Sequence, residues 1–283
     1  MRRIHQDVWT YLDSENKGKY FSIKKIREDS GYFIDNFQKL IEIIAEIQFK
    51  NPDFLLFYRG QDQDYKNQNG LTKIYPEIFR SRRNYLQADE LQERYSFLNR
   101  AEKELTIHYN LDGSGRIKRY RILRWAILQH YKVCPTPLLD VTQSLRVACS
   151  FAFLKDLAND PYLMVLGLPQ VSGSVTASSE NALQIIRLLS ICPPSALRPH
   201  YQEGYLVGEF PDVSTYREKQ NYNRDEMDLS RRLIAKFRLS RNSFWNNDLF
   251  PQMLEYALMP NDRDELYKIT NRITDEINRS GDN

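Results

Sequence analysis

The chain has 283 residues, 41% of them hydrophobic and 27% charged, which argues against global disorder and supplies the core of one large domain or of a domain plus a small module. Its 40 basic and 37 acidic side chains leave a net charge of only +3, which excludes a histone-like polyanion coat but leaves room for a local basic groove. Three cysteines (Cys134, Cys149, Cys192) make no disulfide framework, and the four histidines form no pair with metal-ligand spacing, so no metal is expected.

In chain order, Phe33, Phe37, Leu40, Ile41, Ile44 and Ile47 recur at helical spacing and predict an amphipathic helix over 33–50, stopped by Asn51-Pro52. The apolar run 54–58 reads as a buried strand ending at Arg59-Gly60, and the polar segment 61–76 as a loop. A second helix is predicted over 86–108, a break at Asp112–Gly115, and a third helix over 117–131 closed off by Pro135 and Pro137. A short strand at 138–141, a buried helix at 143–157 and a strand at 162–168 follow. Then come a Ser-rich loop at 169–180, a short helix at 181–191, one or two strands within 196–208 and a polar loop at 213–225. Helices at 227–239, 247–258 and 262–279 finish the chain, with a frayed tail at 280–283. The expected fold is α+β, with four to six short strands in a small mixed sheet surrounded by seven or more helices.

Charge is uneven. Residues 51–150 hold 16 basic and 11 acidic side chains, whereas 201–283 hold 12 and 15. The basic material includes Arg80, Arg82, Arg83 and the helical set Arg116, Lys118, Arg119, Arg121 and Arg124, which is either a solvated helix face or a surface for phosphate or nucleic acid. The N-terminus lacks the apolar core of a signal peptide and no apolar run approaches the roughly 20 residues of a membrane helix, so a cytoplasmic protein without membrane contact is expected.

Four clusters are candidates for chemistry. Tyr58-Arg59-Gly60-Gln61 puts a guanidinium at a strand end beside a glycine, which suits an anion anchor and equally suits an arginine paired with a core carboxylate. In Gln129-His130-Tyr131 a histidine sits on an apolar helix face, as a core residue or as an acid or base facing a cleft. Asp140 or Thr142 either caps the following helix or lies beside an anion at its N-terminus. Arg198-Pro199-His200-Tyr201-Gln202-Glu203-Gly204 is either a strand edge facing a cleft or a surface hairpin.

Taken together, FYRGQ, LQHYKVCPTPLLDVTQSLRVACSFAF, RPHYQEGYL and LFPQMLEYA resemble the bacterial FRG domain family, over about residues 54–258. The central segment is the most specific part. Tyr58 replaces the family's Phe, and Lys132–Pro137 is one residue longer than the family's GLPTR, lacks its Gly and carries Pro137 in place of its Arg. The resemblance implies a domain over 51–260, between a helical lead-in (1–50) and a C-terminal helix and tail (261–283), and a toxin-like or phage-defence setting. The motif order is similar to that of ADP-ribosyltransferases, which by analogy implies an NAD-using transferase. Arg59, His130 and Glu203 would then be catalytic. Tyr58, Gln61, Tyr131, Asp140, Thr142 and Gln202 would bind the ligand, and the target would be nucleic acid or protein. The rival reading is a non-enzymatic nucleic-acid or phosphate-binding module using Arg116, Lys118, Arg119 and Arg121.

Overall fold

A computed structural model of the chain describes residues 1–15, 17–81, 87–155, 158–212, 224–246, 250–259 and 261–281. Eight strands form one mixed sheet: β3 (Tyr32–Ile34), β4 (Leu55–Gln61), β5 (Leu139–Thr142), β6 (Tyr162–Leu168), β7 (Val175–Ser178), β8 (Leu183–Arg187), β9 (Gly204–Glu209) and β10 (Leu233–Leu239). Their spatial order is β3-β10-β6-β4-β5-β9-β8-β7. Only β3 and β10 run parallel. A separate hairpin joins β1 (Val8–Thr10) to β2 (Lys19–Phe21). The helices around the sheet are α1 (Ile23–Glu28), α2 (Phe37–Lys50), α3 (Ala88–His108), α4 (Ser114–Arg119), α5 (Arg121–His130), α6 (Leu145–Ala152), α7 (Leu188–Ile191), α8 (Leu197–Gln202), α9 (Glu255–Leu258) and α10 (Glu265–Gly281). The fold class is therefore α+β, with ten strands among the described residues rather than four to six.

The apolar face of α2 packs into a core with β4, β6 and β10, while α3, α5 and α10 build a second core with Ile186 and Leu206. The side chain of Asn36 caps α2, accepting from the Lys39 amide at 2.8 Å, so the helix starts at Phe37. Tyr32–Ile34, just ahead of that cap, form β3 on the sheet edge, not a first helical turn.

Several elements depart from the sequence pattern. The helix expected over 227–239 is a short 3-10 turn followed by β10, a strand inside the sheet between β3 and β6. Burial on both faces removes the alternation that would mark a strand, so Leu233–Leu239 presents a near-continuous apolar run readable either way. The expected helix at 181–191 is β8 followed by the four-residue α7, and 196–208 holds α8 before β9. The third helix is broken into α4 and α5 by extended backbone at Tyr120. The buried helix expected over 143–157 ends at Ala152, and the Ser-rich loop contains β7. Of the helix expected at 247–258, residues 247–249 lie outside the described residues and only Glu255–Leu258 is helical. Arg82, Arg83, most of the 213–225 loop and the last two tail residues also lie outside them. The three cysteines are free and buried, and no described helix is long and apolar enough to cross a membrane.

Candidate functional site

The sheet opens where the Arg-Gly motif lies. Strand β4 pairs with β6 over all seven of its residues, but with β5 only at Tyr58 opposite Thr142. Beyond that pair the two strands separate, and Arg59 spans the gap by donating from Nη1 to the Asp140 carbonyl at 2.7 Å. Gly60 is explained by α6 rather than by a ligand. A Cβ there would stand 1.9 Å from the Ala148 carbonyl oxygen and 2.6 Å from the Ala152 nitrogen, so only glycine lets helix backbone lie on the strand.

Between β4, β5, α6 and α8 is a cavity of about 210 Å³. Its lining includes Tyr58, Arg59, Gly60, His130, Lys132, Asp140, Thr142, Arg198 and Gln202, with Val147, Ala148 and Phe151 on the apolar side. His130 is only 1% exposed, and its Nδ1 lies 3.0 Å from Asp140 Oδ1. The Gln129 amide donates to the other carboxylate oxygen, also at 3.0 Å, and Gln129 is itself held by the Thr136 hydroxyl at 2.8 Å. The Asp140 side chain remains 35% exposed. Burial alone would raise its pKa; the His130 hydrogen bond and the charges of Arg198 and Arg59 outweigh that and hold the carboxyl well below the usual carboxylate range. Burial, aided by Arg198, depresses the His130 pKa despite Asp140. The consistent state at neutral pH is an ionised Asp140 accepting from the Nδ1–H of a neutral His130, which leaves Nε2 as a free base without a hydrogen-bond partner.

This state predicts a pH dependence. The native His130 binds its proton less readily than the unfolded one, so the unfolded state takes up more protons as pH falls below about 6.5, and stability must fall with it. Asn in place of His130 keeps a donor for Asp140 but cannot titrate. In urea unfolding between pH 7 and pH 5, wild type should lose stability faster than His130→Asn. Parallel curves would contradict the assignment.

Of the residues predicted from sequence, the cavity gathers Tyr58, Arg59, His130, Asp140, Thr142 and Gln202. Thr142 is engaged in the frame, donating to the Gln202 carbonyl at 2.8 Å and accepting from the Ser144 amide at 3.0 Å. The Gln202 side-chain amide donates to the Leu258 carbonyl. Neither Asp140 nor Thr142 caps α6, since the capping position is Ser144 and makes no side-chain bond there. Three predicted residues are not in the lining. Glu203 sits at the C-terminus of α8 in the left-handed region, φ 45°, and is exposed. Tyr131 is buried, its hydroxyl donating to Asp264 at 2.8 Å. Gln61 is buried at the end of β4.

The basic set is also divided. Arg121 and Arg124 reach the buried Glu102 on α3, at 3.2 and 3.3 Å, and Arg124 Nη1 also ties off the Ile117 and Lys118 carbonyls at the end of α4. Arg116, Lys118 and Arg119 remain exposed, apart from the cavity lining. Two lining cations were not among the site residues assigned from the sequence, although Arg198 lies in a cluster named there as a candidate. Arg198 is on α8, and Lys132 follows α5 in a left-handed turn (φ 57°) in which the Val133 amide bonds back to the Leu128 carbonyl at 2.9 Å. The departure of Lys132–Pro137 from the motif it resembles was the available signal.

Residues 55–161 match the family model of the FRG domain, so the chain carries an FRG domain. The matched stretch runs from β4 to the start of β6. It contains Arg59, His130 and Asp140, while Arg198 and Gln202 lie beyond it. No curated protein and no solved structure matches the chain.

Proposed function

We propose that the cavity of this FRG domain is an anion- and nucleotide-binding cleft serving NAD-using transfer of the ADP-ribosyltransferase kind. The observation that supports it is convergence: Arg59 from β4, His130 from α5, Asp140 from β5 and Gln202 from α8 line one cavity although they are spread over some 140 residues. In such a transfer the bond between the ribose C1′ and nicotinamide breaks, nicotinamide leaves with the electron pair, and the sugar passes through an oxocarbenium-like state. Among the described residues Asp140 is the one carboxylate in the lining, and it takes the stabilising role that the sequence assigned to Glu203. His130 Nε2 accepts the proton of the attacking nucleophile. At about 210 Å³ the cavity lies below the ~300–1,000 Å³ of sites that enclose drug-sized ligands, so it holds one end of a dinucleotide while the rest leaves by the mouth. The test is NAD binding and consumption with protein and nucleic-acid acceptors. Arg59→Ala is expected to weaken binding by about tenfold or more, the loss of a charge-assisted contact, whereas Glu203→Gln leaves it unchanged. Absence of NAD binding, or a loss confined to Glu203→Gln, would refute the reading.

A further inference from the structure

Arg198 is a buried charge whose hydrogen bonding is incomplete among the described residues. It is 4% exposed, and neither its Nε nor its Nη1 has a hydrogen-bond partner. Its backbone amide is satisfied by Asp264 at 2.9 Å, and its guanidinium carbon lies 6.0 Å from the Tyr131 ring, at the limit of a cation–π contact. A buried guanidinium with two nitrogens lacking hydrogen bonds, balanced only through space by the Asp140 and Asp264 carboxylates, carries a desolvation cost that stability alone does not explain. The cavity carries the same imbalance around it. Arg59 Nε is also without a partner, and Lys132 Nζ donates to the Met259 sulfur at 3.8 Å. Against these three cations stands Asp140, which is engaged by His130 and Gln129 and forms no ion pair with either arginine. With His130 neutral, the lining holds three cations against one carboxylate, the two arginines inside and Lys132 at the exposed mouth. Lys132 reaches that space from a left-handed backbone position that costs a non-glycine residue ~1–2 kcal/mol, a local penalty of the kind found at functional sites.

We infer that the cavity contains a subsite for a phosphate dianion, in which Arg198 is the principal binding residue and Arg59 and Lys132 complete the charge. Two guanidinium edges and an ammonium suit a tetrahedral group with several acceptor oxygens, and the charge excess suits a dianion better than a carboxylate. This deepens the nucleotide reading and rests on it only for the cavity it shares. It puts the phosphate of the ligand on the arginines and turns the adjoining ribose toward Asp140.

Inorganic phosphate is the probe. At matched ionic strength with chloride, it should raise the thermal midpoint of wild type and bind measurably in calorimetry. Arg198→Met should weaken that binding by about tenfold or more while the ligand-free protein is as stable as wild type or more so, because an apolar group of similar length replaces an unpaired buried charge. Arg198→Lys, which keeps the charge without the planar fork, should also bind more weakly. It serves as the readout if the Met variant fails to fold. Phosphate binding that is absent in wild type, or unchanged in Arg198→Lys, would overturn the inference. So would a loss of ligand-free stability in Arg198→Met that Arg198→Lys restores. NAD turnover with an unchanged KM in Arg198→Met would refute the subsite and leave the transferase reading standing. Phosphate binding lost in Arg198→Met, without NAD turnover by wild type, would support the subsite and refute the transferase.

Discussion

Gly60→Ala is expected to cost roughly 3 kcal/mol or more and to abolish soluble folded protein at physiological temperature. The added methyl would overlap the Ala148 carbonyl oxygen and crowd the Ala152 nitrogen. Both are helix backbone, so no rotamer change relieves the contact and α6 must lift from β4, beyond the ordinary range for an overpacked core. Because α6 also supplies Val147, Ala148 and Phe151 to the cavity wall, any folded remnant should lose ligand binding as well. Gly115→Ala supplies the contrast. An added Cβ there meets nothing within 4 Å in helix α4, and alanine should stabilise by about 0.5–1 kcal/mol. Urea denaturation of both variants checks the pair, and comparable effects of the two would contradict the packing account.

Asp64→Ala is expected to be nearly as damaging, at about 3–5 kcal/mol. Lys236, in the middle of β10, is 1% exposed, and its ammonium donates to Asp64 Oδ2 at 2.7 Å, the Thr72 hydroxyl at 2.8 Å and the Asp29 carbonyl. Asp64 is 5% exposed and also accepts from Thr72 at 2.8 Å. Removing the carboxylate strands a cation inside the sheet, where burial already pulls the lysine pKa down. Combining Asp64→Leu with Lys236→Met removes both charges and should recover most of the loss, since a buried ion pair contributes little beyond its own desolvation. A double variant no more stable than Asp64→Ala would show that the pair orders the 61–76 loop in some other way.

The same lysine shows why part of the fold was hidden. Leu55–Gln61 and Tyr162–Leu168 were legible because they are short apolar runs bounded by turn residues. Leu233–Leu239 is also largely apolar, but the buried charge of Lys236 sits at its centre and no Gly or Pro separates it from the preceding turn, Leu229–Arg232. The residue that makes Lys236 acceptable, Asp64, is far away in the chain. The site divides in a similar way. Arg59, His130 and Asp140 lie in motifs at element ends, where composition changes abruptly, and those ends meet at the opening between β4 and β5. Arg198 lies in a polar stretch with several candidates, and no local pattern tells which of Arg198, His200 and Glu203 turns inward. A six-residue helix and one left-handed residue decide it, facing Arg198 to the cavity and Glu203 to solvent. The basic set divides for a related reason: Glu102, which pairs with Arg121 and Arg124, comes from α3, while Arg116, Lys118 and Arg119 stay exposed.

Calorimetric titration of NAD at pH 7 into wild type and Arg59→Ala, with folding of both verified by near-UV circular dichroism, tests the central claim most directly. The cavity account predicts saturable binding by wild type, weakened about tenfold or more when the Arg59 guanidinium is removed. Equal affinity in the two proteins, or no heat of binding in wild type, would contradict it.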